Sequence, residues 1–536
     1  MLPFFVIVPI IVGVFLYVFP FEKFARVVSI VVQFGFTVAT FYLFYRSQTE
    51  EIITSIGAYE GTMGITLRVD TLSAAFMVLT SFIFLMAAVY SYSDNKSRLF
   101  WFLLFLWEAS LVGLFLTGDL FNIFVLSEVG TIVISTLVLY IRKKRSLLDG
   151  MIYLMANVVV MQFYVFGLGY VYMLTGALDI PAVTYALGQL DESQLILPYA
   201  LIMTFVAFKC ALVPVFSWLP KAHSTPGAPP AVSAVLSGLH IKSGVYIFLR
   251  VQEIFAPIAV TDFFLVIGLI TAIFGVVVAL AQTHIKLVLA YSTIAQIGLI
   301  FVGLNFGDSY NYTGSMFHIF NHAFFKTALF MGAGVIVKAY GIKDITKIKG
   351  VFWRMPLVGV SLGAAMLGIV GAPLFSGSIS KYFLMSGVYG PLYFVMVIIN
   401  LGSIMVFIKF VPMFFGKHES IKHKTGEHVV NARIKHNFWH EIPIVILGGV
   451  SLALGIFGEQ FISIMFDVDK NVTLMGYVEK TVIFFVSLGV GVLIFRRFIN
   501  NNPALKKIRQ PFKLNFKQMV AAMGVFFAMI IIVIGV

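Results

Sequence analysis

Leu201-Ile-Met-Thr-Phe-Val-Ala-Phe-Lys-Cys-Ala-Leu-Val213 is an apolar run with one lysine, Lys209, inside it, and Pro214 and Pro220 follow at once. A charged side chain near the middle of a bilayer costs about 2.5–3.5 kcal/mol or more, so it persists only with a partner, with water or with a task. Proline interrupts a helix, and irregular backbone at that depth is tolerated inside protein or along a wet cavity. The arrangement recurs. Gly371-Ala-Pro373 and Gly377 interrupt a second apolar run just before Lys381. Two broken helices, each carrying a lysine, read as an ion path.

The rest of the chain agrees. It has 536 residues, 60% of them hydrophobic and 11% charged, with a mean hydropathy of +0.98. That balance belongs to an all-α polytopic membrane protein with about 14–16 transmembrane helices. About sixteen apolar spans can be counted, from near 2–20 to near 515–535, and the loops between them alternate in charge. One set is acidic or weakly charged: Glu50, Glu51 and Glu60; Asp119; Asp179, Asp191 and Glu192; Asp262; Asp308; Asp467 and Asp469. The other is basic: Lys23 and Arg26; Arg142 to Arg145; Lys343, Lys347 and Lys349; Lys422, Lys424, Arg433 and Lys435; Arg496, Arg497, Lys506, Lys507 and Arg509. The positive-inside rule then places the chain in the cell membrane with both termini outside. The formal charge of +13 is thereby assigned to loops on one membrane face, not to nucleic acid. Met1 to Pro20 reads as the first span, because no small-residue cleavage site follows it.

The one cysteine, Cys210, cannot ligate an iron–sulfur cluster or close an internal disulfide. No cofactor of the chain's own is expected. The polar stretch Lys417 to His440 holds His418, His423, His428, His436 and His440. With no Cys or acidic cluster beside them, they read as a solvated cytoplasmic loop, not a metal site.

Several ionisable residues fall inside spans. Glu128 lies in Phe121-Asn-Ile-Phe-Val-Leu-Ser-Glu-Val-Gly130, where it serves either a proton or a static pair with Lys209. Lys242 lies at mid-depth in Leu236-Ser-Gly-Leu-His-Ile-Lys242, two residues from His240, which therefore faces elsewhere on a regular helix. His318, His322 and Lys326 recur at i, i+4 and i+8, along one helix face. Such a row suits proton hopping; two histidines at that spacing also suit haem iron or zinc, and hydrogen bonding alone is a third use. Glu108 is a further mid-span carboxylate, expected to face Glu128 across a short turn. Lys286 and Lys409 lie nearer span ends, where a lysine snorkels.

At these residues the chain resembles the antiporter-like membrane subunits shared by Mrp-type cation/proton antiporters, membrane-bound hydrogenases and respiratory complex I. The segments that carry the resemblance are Thr117-Gly-Asp-Leu-Phe-Asn122 with Glu128, Trp218-Leu-Pro-Lys-Ala-His223, Ala228-Pro-Pro-Ala-Val-Ser233, Ala281 to Ile294 with Gln296 and Gly298, His318 to Lys326, and Gly371 to Gly377 with Ser380 and Lys381. The sequence departs from the family's habit at Lys221, His284, Leu374 and Ser378. At Leu374 the family usually has a second proline. The Mrp branch usually has fourteen spans, so the last two are additional or point to a hydrogenase-like relative.

The resemblance implies two inverted five-helix repeats with helices 7 and 12 broken. The expected organisation is then N-terminal helices over 1–98, a first repeat over 99–252, a second over 260–416, a loop over 417–440 and C-terminal helices over 441–536. Lys209 and Lys381 would occupy equivalent positions. The resemblance also implies roles: Glu128 with Lys209 as an ion-pair proton site, Lys242 as a central relay and Lys381 as the far-side site, with His318 and His322 between. Glu108, His240, Lys326 and Lys409 are accessory candidates, and Pro214, Pro220, Gly371, Pro373 and Gly377 mark the breaks. The implied function is proton translocation in a multisubunit Na+/proton antiporter, with other membrane subunits as partners. The alternative is the same role in a redox-driven pump. The chain itself has no cysteine ligand set and no Gly-rich dinucleotide loop.

Overall fold

The structure, a computed structural model, describes residues 1–19, 22–56, 64–141, 143–416, 437–468, 471–500, 502–508, 512 and 514–535. The four histidines His418, His423, His428 and His436 of the expected loop lie outside the described residues. The chain divides into two units: Met1–Ala88, Asp94–Phe263 and Leu514–Val536 in the first, and Val89–Ser93 with Phe264–Lys513 in the second.

Long apolar segments fold as helices because a helix pairs its own backbone groups where lipid offers no partner. In order these are α1 (Phe4–Val18), α2 (Glu22–Ser47), α3 (Thr71–Ser91), α4 (Arg98–Leu116), α5 (Leu120–Val138), α6 (Lys144–Thr175), α7 (Ile180–Leu187), α8 (Glu192–Lys209), α9 (Trp218–Ser224), α10 (Pro230–Val235) and α11 (Ile241–Ile254). There follow α12 (Thr261–Ala281), α13 (Ile285–Leu304), α14 (Ser309–Tyr340), α15 (Val351–Arg354), α16 (Pro356–Val370), α17 (Ser376–Leu384), α18 (Gly390–Ile408) and α19 (Val411–Phe414). The last are α20 (Phe438–Ile456), α21 (Gly458–Phe466), α22 (Leu474–Ile494), α23 (Pro503–Ile508) and α24 (Phe516–Gly535). Among the described residues thirteen helices are long and apolar enough to cross a membrane, and Phe4–Val18 and Pro356–Val370 are apolar but shorter. The protein is a multi-pass, all-α membrane protein.

The order of elements repeats. In the first unit an isolated β-bridge joins Asp119 to Asp179, flanking α5 and the 32-residue α6, which ends on a left-handed Gly176. In the second, His284 bridges Asp344 around α13 and the 32-residue α14, which ends on a left-handed Gly341. Each series then runs into a helix that stops and restarts, α8–α9 and α16–α17.

The breaks differ from expectation in detail. Pro214 lies in the first interruption and Pro373 in the second, and Gly371 (φ +80) ends α16. Pro220 does not break anything. It sits in the first turn of α9, where its missing N–H is not needed. Gly377 is the second residue of α17 and serves close approach: a Cβ there would overlap the Gly368 carbonyl oxygen.

A hairpin, β1 (Ile52–Ile56) paired antiparallel with β2 (Ile65–Val69), was not expected from the sequence. Beside it, Thr117-Gly-Asp-Leu-Phe-Asn122 proves to be a helix start. Gly118 N donates to Thr66 O at 2.8 Å, and Asp119 Oδ1 caps α5 through the Asn122 amide at 2.7 Å.

Asp70 opens α3 by accepting the Ser73 amide (2.8 Å) and holds Arg250 near the end of α11 (2.6 Å). Arg250 also donates to Ser73 Oγ (3.1 Å) and the Tyr246 hydroxyl (3.2 Å). Burial pushes the Asp70 carboxyl up, but the Arg250 guanidinium and the Ser73 amide outweigh it and hold it below the ordinary carboxylate range. The stabilisation is therefore full above the unfolded carboxylate value and is lost as pH falls through the lower folded value. Thermal unfolding in detergent between about pH 6 and pH 3 should show a smaller fall in Tm for Asp70→Asn than for the parent chain. At neutral pH Arg250→Met should cost about 1.5–3 kcal/mol.

Candidate functional site

In the first unit α8 ends at Lys209, so a cation sits at a helix C-terminus, where the helix dipole favours it. Its Nζ donates to Thr131 Oγ1 on α5 (3.0 Å) and Asn157 Oδ1 on α6 (2.8 Å), and lies 5.5 Å from the Phe205 ring centroid. Asn157 Nδ2 donates to Tyr153 O (2.9 Å), which turns the amide oxygen toward the lysine. Trp218 Nε1 donates to Phe208 O (2.7 Å) in the last turn of α8, a carbonyl it shares with the Ala211 amide (2.9 Å).

The expected Glu128–Lys209 ion pair is not formed. The ammonium is already held by two neutral oxygens, and Glu128 Oε2 is buried without a hydrogen-bond partner among the described residues. Glu128 lies one turn before Thr131 on α5 and within electrostatic reach of Lys209. Nor do Glu108 and Glu128 meet: Glu108 Oε1 instead accepts from Gln33 Nε2 on α2 at 2.5 Å.

Lys242 is fully buried, and its Nζ donates to Ser237 O at 2.6 Å. Ser237 lies in a π-helical turn, Leu236–His240, between α10 and α11. Such wide turns gather at functional positions. His240, inside that turn, packs edge-on against Trp107, with ring centroids 6.0 Å apart.

In the second unit Lys381 lies in the restarted half, α17, whereas Lys209 ends the half before its break. The two lysines are thus not at matching points of the chain, yet each lies beside an interruption. Lys381 Nζ donates to Ile369 O at the end of α16 (2.8 Å) and to Asn400 Oδ1 on α18 (2.7 Å). A Cβ on Gly371 would come within 2.9 Å of Lys381 Cδ, so this glycine leaves room for the lysine stem.

His318 Nδ1 pairs with Ser380 Oγ and Nε2 with Gln296 Oε1, both at 2.9 Å. Gln296 Nε2 continues to Ser403 Oγ on α18 (3.2 Å), one turn from Asn400. The result is a polar circuit through α13, α14, α17 and α18 that begins and ends beside Lys381. With both nitrogens engaged, His318 would have to surrender a bond to ligate a metal. The ring centroids of His318 and His322 are 6.4 Å apart. Lys326 is tied to α13 through Leu289 O (2.9 Å) and Ser292 Oγ. Lys409 does not snorkel. It caps the end of α12 through Leu280 O (2.8 Å) and Gln282 O.

The sequence reading missed Gln33, Thr131, Asn157, Asn400 and Ser403, and gave Gln296 no role. Their signal is weak: a single neutral polar residue in an apolar span, with no charge to mark it.

Residues 117–408 match the family described as NADH:quinone oxidoreductase/Mrp antiporter, transmembrane. The N-type NADH-quinone oxidoreductase subunit of Desulforudis audaxviator is 31% identical over 75% of this chain and 83% of its own length. The D-type Na(+)/H(+) antiporter subunit of Alkalihalophilus pseudofirmus is 28% identical over 70% of this chain and 78% of its own. A chain of the Mrp complex from Dietzia sp. superposes with a TM-score of 0.80 at 23% identity, over 91% of this chain and 99% of that one. That last likeness is one of fold.

Close contact at the second break gives a stability test. Gly377→Ala should destabilise by about 1–3 kcal/mol, read as a lowered Tm and yield of folded protein. Gly363→Ala, whose Cβ would meet nothing nearer than 3.9 Å, should be tolerated.

Proposed function

We propose, on the premise that the chain belongs to the NADH:quinone oxidoreductase/Mrp antiporter membrane family, that it is the proton-translocating subunit of a multisubunit Na+/proton antiporter. The observation that carries the reading is shared by Lys209 and Lys381: each is buried at a helix interruption and held by neutral oxygens. A lysine clamped to a carboxylate is fixed as a cation. One held by hydroxyl, amide and carbonyl dipoles exchanges its proton when a neighbouring charge moves.

In this reading Glu128 is the neighbouring charge for Lys209. With its carboxylate drawn close the ammonium is favoured; withdrawn, the proton passes on. The proposed handover runs from Lys209 to Lys242, to His318 and His322, and to Lys381. Ser380 and Gln296 orient the His318 imidazole, so that a proton taken at one nitrogen is matched by release at the other. Glu108 and His240 remain accessory to the first unit. Lys326 and Lys409 hold helix ends and backbone, and carry no proton in this scheme. The basic loops face the cytoplasm, both termini lie outside, and other membrane subunits complete the complex in the cell membrane.

The likeness to the D. audaxviator quinone oxidoreductase protein supports a second reading, the same proton path inside a redox-driven complex. Gentle extraction of the tagged chain separates the two. Small membrane proteins without iron co-purify with an antiporter, whereas iron–sulfur proteins co-purify with a redox pump.

Lys209→Ala in the assembled complex should lower proton flux to about a tenth of the parent or less, with co-purification of partners unchanged. Fluxes from a pH-sensitive dye in inverted vesicles check this. Parent-like transport would overturn the scheme.

A further inference from the structure

One of the two additional C-terminal helices, α22, carries no motif, and the proton path described above gives it no role. Many of its side chains face outward, among them Val478, Val482, Phe485, Val486, Val490 and Leu493. Its first turns do something else. The Tyr477 hydroxyl accepts the backbone N–H of Leu374 at 2.7 Å. Leu374 lies in the interruption between α16 and α17 with φ +69, and its amide has no place in either half-helix. Tyr477 supplies the acceptor that the break lacks.

Next to that contact lies a cavity of about 40 Å³, bordered by Ser378, Lys381, Asn400, Tyr477, Lys480 and Thr481. It is large enough for water and lined by polar groups able to hold it. Lys480 stands one turn beyond Tyr477, with its Nζ 5.4 Å from the Tyr393 ring centroid. A lysine this far inside an apolar helix would normally reach for the headgroups. Here it borders the same small space as the lysine at the break.

We propose that α22 builds the aqueous mouth of the second proton site: Tyr477 fixes the break, and Lys480 is the charged gate through which Lys381 exchanges protons with the outer face. Two ammonium groups around one small cavity repel each other. A proton resident on Lys480 therefore drives the proton of Lys381 onward, and its departure readies the site for the next. This deepens the proton-translocation reading and rests on it.

Two measurements in the assembled complex test it. The first is independent of transport. A membrane-impermeant sulfonatoethyl thiosulfonate added from the outer face should label Thr481→Cys. It should spare Val486→Cys, on the outward apolar face of α22, and the parent, whose Cys210 is buried. Labelling of Thr481→Cys no greater than that of Val486→Cys would overturn the aqueous mouth. The second reads the gate. Lys480→Gln should lower Na+-driven proton flux about tenfold with unchanged Tm and co-purification, and Lys480→Arg, whose guanidinium keeps its proton, should not restore it. Parent-like flux in Lys480→Gln or in Lys480→Arg would overturn the gate. Lys209→Ala keeps the two readings apart. If it abolishes flux while Lys480→Gln does not, only this inference fails. If it leaves flux intact, the translocation reading fails.

Discussion

A helix that stops inside hydrocarbon leaves carbonyls and amides that lipid cannot satisfy. Every such group must find a partner on another element, and the two interruptions show how much of the structure answers to that need. Trp218 turns its indole N–H back onto Phe208 O. Lys381 spends one donor on Ile369 O, and Tyr477 takes the amide of Leu374. The residues that repair the backbone are thus partly the residues that carry charge. A lysine at a break has both a structural reason to be buried and a chemical one, and neither use excludes the other.

The same economy governs the charges. Thr131, Asn157 and Asn400 each offer an ammonium a hydrogen-bonding oxygen that carries no charge. Around His318 the pairing is complete at both nitrogens. Ser380, next in sequence to Lys381, and Gln296, which reaches Ser403 one turn from Asn400, surround the imidazole with neutral groups alone. Polar groups of α13, α14, α17 and α18 are therefore linked as a chain of dipoles around one imidazole.

Charge and hydropathy in the sequence were sufficient for the helical class, most of the spans and the buried lysines, because each is marked by composition alone; against about sixteen expected spans, thirteen helices among the described residues are long and apolar enough to cross. The neutral partners were not legible. A lone asparagine such as Asn157 or Asn400 looks the same in sequence whether it faces lipid, packing or a lysine. Pro220 and Gly377 were misread for a related reason: residues that end helices also begin them or let them touch, and only the neighbouring backbone decides. The π turn before Lys242 and the hairpin at Ile52–Val69 depend on contacts far along the chain. The expected Glu128–Lys209 pair failed because opposite charges in the same layer need not touch when neutral acceptors stand nearer.

The first unit takes its last helix from the far end of the chain. α24 packs on α6 and α8, and its Phe526 meets Phe263 at a centroid distance of 5.8 Å. Lys221 of α9 donates to Leu514 O at the start of the same segment. Residues 264–513 belong to the other unit, so a ribosome must finish that unit before it can close this one. During biosynthesis α6 and α8 are therefore made well before the helix that packs on them. The order along the chain thus sets an order of assembly: α6 and α8 gain the wall that α24 lends them only after the second unit has been made.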